Sequence, residues 1–426
     1  MVSGRVRGYM LALICLSFFL NYADRQILGA LIEPIKHEFH LSDAELGIMS
    51  GLGFGVFYAL CSLPLARLAD RWNRKYVLVL CVFVWSGATM LSGAAMTSLQ
   101  LLLARLVVGV GEAGGGPAGI ALISELFPPR RRGMAIAAYS TAGAIGSAAA
   151  LSGGAWLATH YGWRVAFLAL GLPGVVLGLI IALTTREPGR QAAAGTAAIS
   201  FVQGLKMILA QRVLVFAMIG GGFAAMVISC TAWMTAFFVR SHGLSLVEAG
   251  SIMGLAIVVM GPCGQFLGGF LADYLGKRAL WAVPFAVGLA CLLAGGAGVL
   301  MTWAPTVGLA IALACLWLAL AQVFASPTYG LAQLLVPPRL RATSHAVAGM
   351  TINLIGYGGG PTMVGVLSGA YAGSSGDESL RYAIMTVTGA CSIVAAVLYF
   401  LAAQAVRQGA YDADTVRRDQ ASTAAS

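Results

Sequence analysis

Twelve runs of apolar residues, each long enough to cross a bilayer as a helix, leave this chain few folds to choose from. They read as 9–33, 45–69, 76–97, 99–126, 133–158 and 163–183, then, after a break, 208–239, 247–272, 279–301, 305–335, 343–370 and 380–406. A helix rises about 1.5 Å per residue, so about 20 residues span the hydrocarbon layer. A chain that is 59% hydrophobic and only 10% charged cannot hide such runs in a soluble core. In lipid every backbone amide must be bonded within the protein, and the expected fold is all-α and multi-pass. The first run follows Arg5 and Arg7, contains charges and lacks a small-residue cleavage site, so it reads as a retained helix rather than a signal peptide.

The net charge of +10 suggests nucleic acid until the cations are placed on this topology. Lys36, Arg164, Arg240 and Arg381 fall on one side, Arg25 and Arg105 fall inside the runs, and the rest of the 26 Lys and Arg fall on the other side. That asymmetry is the positive-inside rule, and it predicts a cytoplasmic (inner) membrane protein with both termini in the cytoplasm and no nucleic-acid partner. The eight cysteines all lie within apolar runs and read as small hydrophobes, with neither a disulfide framework nor metal-ligand spacing.

Four charges inside the membrane are harder to place. Arg105 and Glu112 share the fourth run, seven residues apart and so on one helix face, while Asp24 and Arg25 lie in the first run at a depth between them. A charge at the bilayer centre costs about 2.5–3.5 kcal/mol even on the mildest scale, so all four should face protein or water. Two acids and two bases at one level form a nominally neutral set, the minimum for a buried polar site in lipid. The second half carries charges only near the ends of its runs, none deep within them, and offers Trp233, Met234, Phe324, Tyr329, Asn353 and Tyr357. A cavity charged on one wall and aromatic on the other suits an amphipathic anion, with Arg25 or Arg105 on its headgroup.

The halves repeat. Leu68-Ala69-Asp70-Arg71-Trp72-Asn73-Arg74-Lys75 is answered by Leu271-Ala272-Asp273-Tyr274-Leu275-Gly276-Lys277-Arg278, and Phe127-Pro128-Pro129-Arg130 by Val336-Pro337-Pro338-Arg339. The predicted organisation is an amino-terminal six-helix bundle over 1–183, a cytoplasmic linker over 184–207, a carboxy-terminal six-helix bundle over 208–406 and a disordered tail over 407–426. A duplicated bundle binds substrate near the midplane and rocks one half against the other.

The loop motifs resemble the signature of the major facilitator superfamily over the whole chain. That resemblance implies a cytoplasmic latch of Asp70, Arg71, Arg74, Lys75, Asp273, Lys277 and Arg278. Asn21-Tyr-Ala-Asp24-Arg25, Asn73-Arg74-Lys75-Tyr76 and Gly109-Val-Gly-Glu112 together resemble its Spinster branch, whose animal members move lysophospholipids and sphingosine 1-phosphate. Organic-anion symporters of the superfamily share part of this pattern. The Spinster resemblance implies proton coupling at Glu112 and Asp24. Gly146-Ser147 stands where antiporters often have Gly-Pro, which leaves the direction of coupling open. The expected activity is proton-coupled secondary transport of an amphipathic anion by a monomer, with a symporter of a small organic anion such as a sugar acid as the alternative. No nucleotide-binding loop or nucleophile–base set is evident, so the expectation is a transporter driven by the proton gradient, without cofactor, metal or enzyme activity.

Overall fold

The computed structural model describes residues 4–185, 201–337 and 340–409, and every described element is a helix. The elements are α1 (Gly4–Ala30), α2 (Ile32–Phe39), α3 (Asp43–Ser50), α4 (Leu52–Arg71), α5 (Arg74–Gly93), α6 (Ser98–Leu126), α7 (Pro129–Tyr161), α8 (Trp163–Thr184) and α9 (Phe201–Leu209). They continue with α10 (Arg212–Ser229), α11 (Thr231–His242), α12 (Leu246–Gly276), α13 (Ala282–Thr302), α14 (Val307–Ala321) and α15 (Ala325–Leu334). Then come α16 (Arg341–Thr351), a π-helix (Ile352–Gly358), α17 (Gly359–Ser375) and α18 (Ser379–Arg407). Most of the predicted linker and all but the start of the predicted tail lie outside the described residues.

Among the described residues, eleven helical stretches are long and apolar enough to cross a membrane. The run at 343–370 makes the twelfth: it is helical throughout, but passes from α16 through the π-helix into α17. Several spans are interrupted. The second turns at Gly51, where the Thr362 hydroxyl accepts from the Leu52 amide at 2.9 Å and donates to the Gly47 carbonyl at 3.0 Å. The seventh breaks at Cys230 and the tenth at Gln322–Phe324. Such breaks survive in lipid only where other protein groups satisfy the freed backbone, and Thr362 does this at Gly51.

The chain condenses into two compact units. The first joins Met1–Ala192, Thr231–Val259 and Pro361–Arg381, so α11, the start of α12 and most of α17 belong with α1–α8. Its core gathers Ile14, Leu20, Val77, Val82, Trp85, Val108, Leu122, Ile123 and Leu177. Lipid tails are as apolar as these side chains, so close approach of small residues rather than the hydrophobic effect must hold the helices together. Two glycines set the approaches that matter for the polar site. A Cβ at Gly146 on α7 would run into the Phe19 carbonyl of α1, and one at Gly111 on α6 would lie 2.6 Å from the Trp85 amide of α5.

The second unit joins Ala193–Cys230, Met260–Gly360 and Tyr382–Ser426. Here α10 packs on the π-helix, with the Ser229 hydroxyl donating to the Gly356 carbonyl at 3.0 Å. Thr328 and Tyr399 share a buried hydroxyl–hydroxyl bond of 2.5 Å.

Candidate functional site

The four membrane charges come together in the first unit as two ion pairs. Arg105 Nη1 donates to Asp24 Oδ1 at 2.8 Å, and its Nη2 reaches the Asp24 carbonyl at 3.2 Å. Arg25 Nε donates to Glu112 Oε2 at 2.6 Å. Adjacent residues on α1 thus reach to different levels of α6, one for each end of its seven-residue step, so the signs alternate along the cluster. Every charge then has an opposite neighbour, which offsets the desolvation of a buried ion only when geometry and hydrogen bonding are good.

The two pairs differ in what they leave over. Asp24 and Arg105 are 1% and 2% exposed, and Asp24 Oδ2 is also held by the Thr89 hydroxyl of α5. Arg25 keeps 17% of its side chain exposed, and its terminal nitrogens make no hydrogen bond with another described residue. Its guanidinium lies over Tyr58, Phe54 and Tyr22 at 4.6, 5.1 and 5.4 Å. Among the described residues, Glu112 Oε1, Asn21 Nδ2 and Arg105 Nε are buried without a hydrogen-bond partner. The arrangement can therefore take a proton at a carboxylate already short of donors, and an anion at a guanidinium with donors to spare.

The remaining sequence-derived residues are dispersed. Trp233 and Met234, in the first unit, are 0% exposed, with the Trp233 indole donating to the Pro361 carbonyl at 2.9 Å. In the second unit Phe324 is buried, Tyr329 stacks on His345, and Asn353 donates to the Gly349 carbonyl. Asn353 and Tyr357 both sit in the π-helix, a conformation that is rare and often marks function.

At the predicted latch, the side chains of Asp70 and Arg71 lie outside the described residues. Arg74 is ion-paired with Glu125 at the end of α6, and Lys75 donates to the Ala182 and Thr185 carbonyls at 2.7 and 2.6 Å, closing the end of α8. Asp273, Lys277 and Arg278 are exposed, with Arg278 lying over the Tyr274 ring.

A second polar cluster in the same unit, absent from the sequence-derived set, lies where α1 gives way to α2. Arg240 of α11 donates to Glu33 at 2.7 Å and forks onto Asp43 at 2.7 and 3.1 Å. Asp43 also receives Lys36 at 2.6 Å and the Ser368 hydroxyl of α17 at 2.6 Å. Nearby, Glu38 accepts from the Trp163 indole and Arg164. Donation from Trp163 and then Arg164 holds the Glu38 carboxyl below the usual carboxylate range. A signal for this cluster was present: Lys36, Arg164, Arg240 and Arg381 are the cations placed on the sparsely charged side, and each is paired with a carboxylate, the last with Glu378.

Comparison with known proteins fits this architecture. The chain is 34% identical over 391 residues to an MFS-type efflux pump of Mycolicibacterium smegmatis, covering 91% of each. It is 29% identical to a probable galactarate/D-glucarate transporter of Bacillus subtilis, over 64% of this chain and 66% of that protein. Its fold matches the crystal structure of a bacterial homologue of the human lysosomal transporter Spinster, inward-facing and unoccupied, with a TM-score of 0.86 and 28% identity over 95% of this chain and 98% of that one. The model of the Major Facilitator Superfamily matches residues 14–361. The chain belongs to the major facilitator superfamily, is Spinster-like within it, and is a membrane transporter rather than an enzyme.

Proposed function

We propose that this transporter couples the movement of an amphipathic anion, a lysophospholipid or sphingolipid-like molecule, to protons. The observation that carries the reading is Arg25, a partly exposed guanidinium whose terminal nitrogens bond no other described residue, set among aromatic rings and tied through Nε to a buried carboxylate. Nη1 and Nη2 suit bidentate capture of a phosphate or carboxylate headgroup, and the rings of Tyr22, Phe54 and Tyr58 suit the apolar part beside it. Arg105, already enclosed with Asp24, serves to hold the acid rather than the headgroup.

Coupling follows from charge. With Glu112 ionised, Arg25 is neutralised from within; protonating Glu112 leaves Arg25 positive and available, so proton and anion each favour the other's binding, reciprocally. Asp24 is the second proton site, and the proton gradient is the energy source. The two repeats, 1–183 and 208–406, alternate about the site, with Asp70, Arg74, Lys75 and their counterparts Asp273, Lys277 and Arg278 latching the cytoplasmic side. Trp233, Met234, Phe324, Tyr329, Asn353 and Tyr357 serve the chain of the substrate in at least one state of the cycle. The protein works as a monomer in the cytoplasmic membrane, with both termini inside.

The second reading is a sugar-acid symporter, favoured by the likeness to the galactarate/D-glucarate transporter. Purified protein in proteoliposomes separates the two. Uptake of radiolabelled lysophosphatidylglycerol, accelerated by a pH gradient, is the expected result. Uptake of labelled galactarate alone replaces the substrate class, and uptake of either that ignores the gradient removes the coupling.

A further inference from the structure

The Thr89 hydroxyl stands within bonding distance of two oxygens at once: Asp24 Oδ2 on α1, and the Trp85 carbonyl one turn earlier on its own helix. A hydroxyl has one proton to give and two lone pairs with which to receive. With Asp24 ionised, the Thr89 proton goes to Oδ2, and the Trp85 carbonyl is left to the helical amide of Thr89 itself. With Asp24 protonated at Oδ2, the direction reverses: the acid O–H donates to Thr89 Oγ1, and the Thr89 proton turns to the Trp85 carbonyl. In both states Asp24 Oδ1 goes on accepting from Arg105. No heavy atom has to move, and neither carboxyl oxygen is left without a partner.

We propose that Thr89 is a positioning residue of the coupling site, exchanging donor for acceptor as Asp24 loses and gains a proton. Asp24 is 1% exposed, and an unpaired carboxyl oxygen there would carry a full desolvation penalty in one state or the other. The inference rests on the proton-coupled reading above. The charged groups around Asp24 are Arg105 and Glu112 of α6 and its chain neighbour Arg25 on α1, which lies over the rings of Tyr22 and of Tyr58 from α4. The charges of α8 and α11, Arg164 and Arg240, are engaged with Glu38, Glu33 and Asp43, more than two helical turns along the chain from Asp24.

Removing the hydroxyl costs the ionised state a charge-assisted bond and the protonated state a weaker neutral one. Thr89→Val therefore favours the acid form, and the pH at which Asp24 releases its proton moves up by about half to one unit, a three- to tenfold change in the proton equilibrium. Thr89→Ser keeps the oxygen and keeps the wild-type midpoint.

The test is infrared difference spectroscopy of the full-length protein in lipid vesicles as a function of pH. The Asp24 carboxylic C=O band is identified by its loss in Asp24→Asn, and its midpoint is followed in wild type, Thr89→Ser, Thr89→Val and, should the valine variant unfold, Thr89→Ala. An upward shift in Val or Ala with wild-type behaviour in Ser supports the proposal, because a merely structural role would lower thermal stability without moving the midpoint selectively. Equal midpoints in all variants, or no Asp24 band titrating at any pH, overturn it. Gradient-driven uptake by the wild type is measured in the same vesicles. Uptake indifferent to the gradient defeats the coupled reading whether or not the midpoint shifts, whereas coupled uptake with an unmoved midpoint defeats only the role of Thr89.

Discussion

Glu112→Gln isolates the charge that competes with substrate for Arg25. The bond it alters is short, 2.6 Å from Arg25 Nε to a carboxylate whose side chain is 0% exposed, against 17% for the arginine. Gln keeps the shape and an acceptor oxygen, so it exchanges a charge-assisted bond of about 1.5–3 kcal/mol for a neutral one of about 0.5–1.5 kcal/mol. The difference, about 1–1.5 kcal/mol, returns to Arg25 as readiness to bind an anion, roughly a five- to tenfold tighter affinity at a pH where the native Glu112 is ionised. Because Gln has no proton to lose, uptake by this variant should no longer respond to a pH gradient while exchange of substrate across the bilayer continues. Equilibrium binding of lysophosphatidylglycerol across a pH series and gradient-driven uptake in proteoliposomes provide the two readouts. Arg25→Ala is the control, expected to lose binding at every pH; Arg25→Lys should recover little of it, since an ammonium cannot reproduce the fork. If Glu112→Gln retains a wild-type pH response, Glu112 is not the coupling residue, and the exchange at Asp24 must carry it alone.

Other expectations follow from packing and pairing. Asp24→Ala strands Arg105 in an enclosed site, and removing one partner of such a pair costs about 3–5 kcal/mol; loss of folded protein in fluorescence-detected size exclusion should exceed that of Arg25→Ala, whose partner Glu112 is as enclosed but can shed its charge by taking a proton, which a guanidinium cannot do. Gly146→Ala puts a methyl group into the Phe19 carbonyl and should abolish folded expression, whereas alanine at Gly153, with open space around it, should be silent in the same assay. Glu38 is stabilised as the carboxylate by Trp163 and Arg164, so its folded value lies below its unfolded one. Its contribution is present above the ordinary carboxylate range and is lost as pH falls through the depressed value; acid titration of tryptophan fluorescence should lose a low-pH step in Glu38→Gln.

How much of this was legible beforehand depended on the kind of information each feature carries. The spans were legible because length and apolarity are what lipid demands, and the levels of Asp24, Arg25, Arg105 and Glu112 followed from helical rise. Which acid meets which base was not, because rise fixes depth while the rotation of α1 against α6 is decided by contacts such as Gly146 with α1 and Gly111 with α5. Thr89 gave no signal, since a hydroxyl in an apolar run ordinarily bonds its own preceding turn, as this one also does. The breaks at Gly51 and Cys230 were equally silent: Ser50-Gly51 and Ser229-Cys230-Thr231 are small residues of the kind that also pack inside unbroken membrane helices, and the partner that makes Gly51 tolerable, Thr362, lies far along the chain.

Arg240 shows what that silence concealed, and it supports a last prediction. Its guanidinium satisfies Glu33 through Nε and Asp43 through both terminal nitrogens, and all three side chains are largely enclosed, at 15%, 15% and 5% exposure. Arg240→Ala leaves two carboxylates facing each other, but Lys36 and Ser368 remain on Asp43, so the cost should fall below the range for a fully orphaned charge, at about 2 kcal/mol. The measurement is apparent unfolding temperature in detergent, with an expected fall of several degrees. Arg240→Lys discriminates the cause: a single ammonium matches the charge but cannot span Glu33 and fork onto Asp43 together, so it should recover less than half of the loss. Full recovery by lysine would mean that charge alone matters and that the fork geometry contributes nothing. Recovery by Arg240→Met, which fills the volume without charge, would mean that the cluster is held by packing and that its carboxylates find water instead.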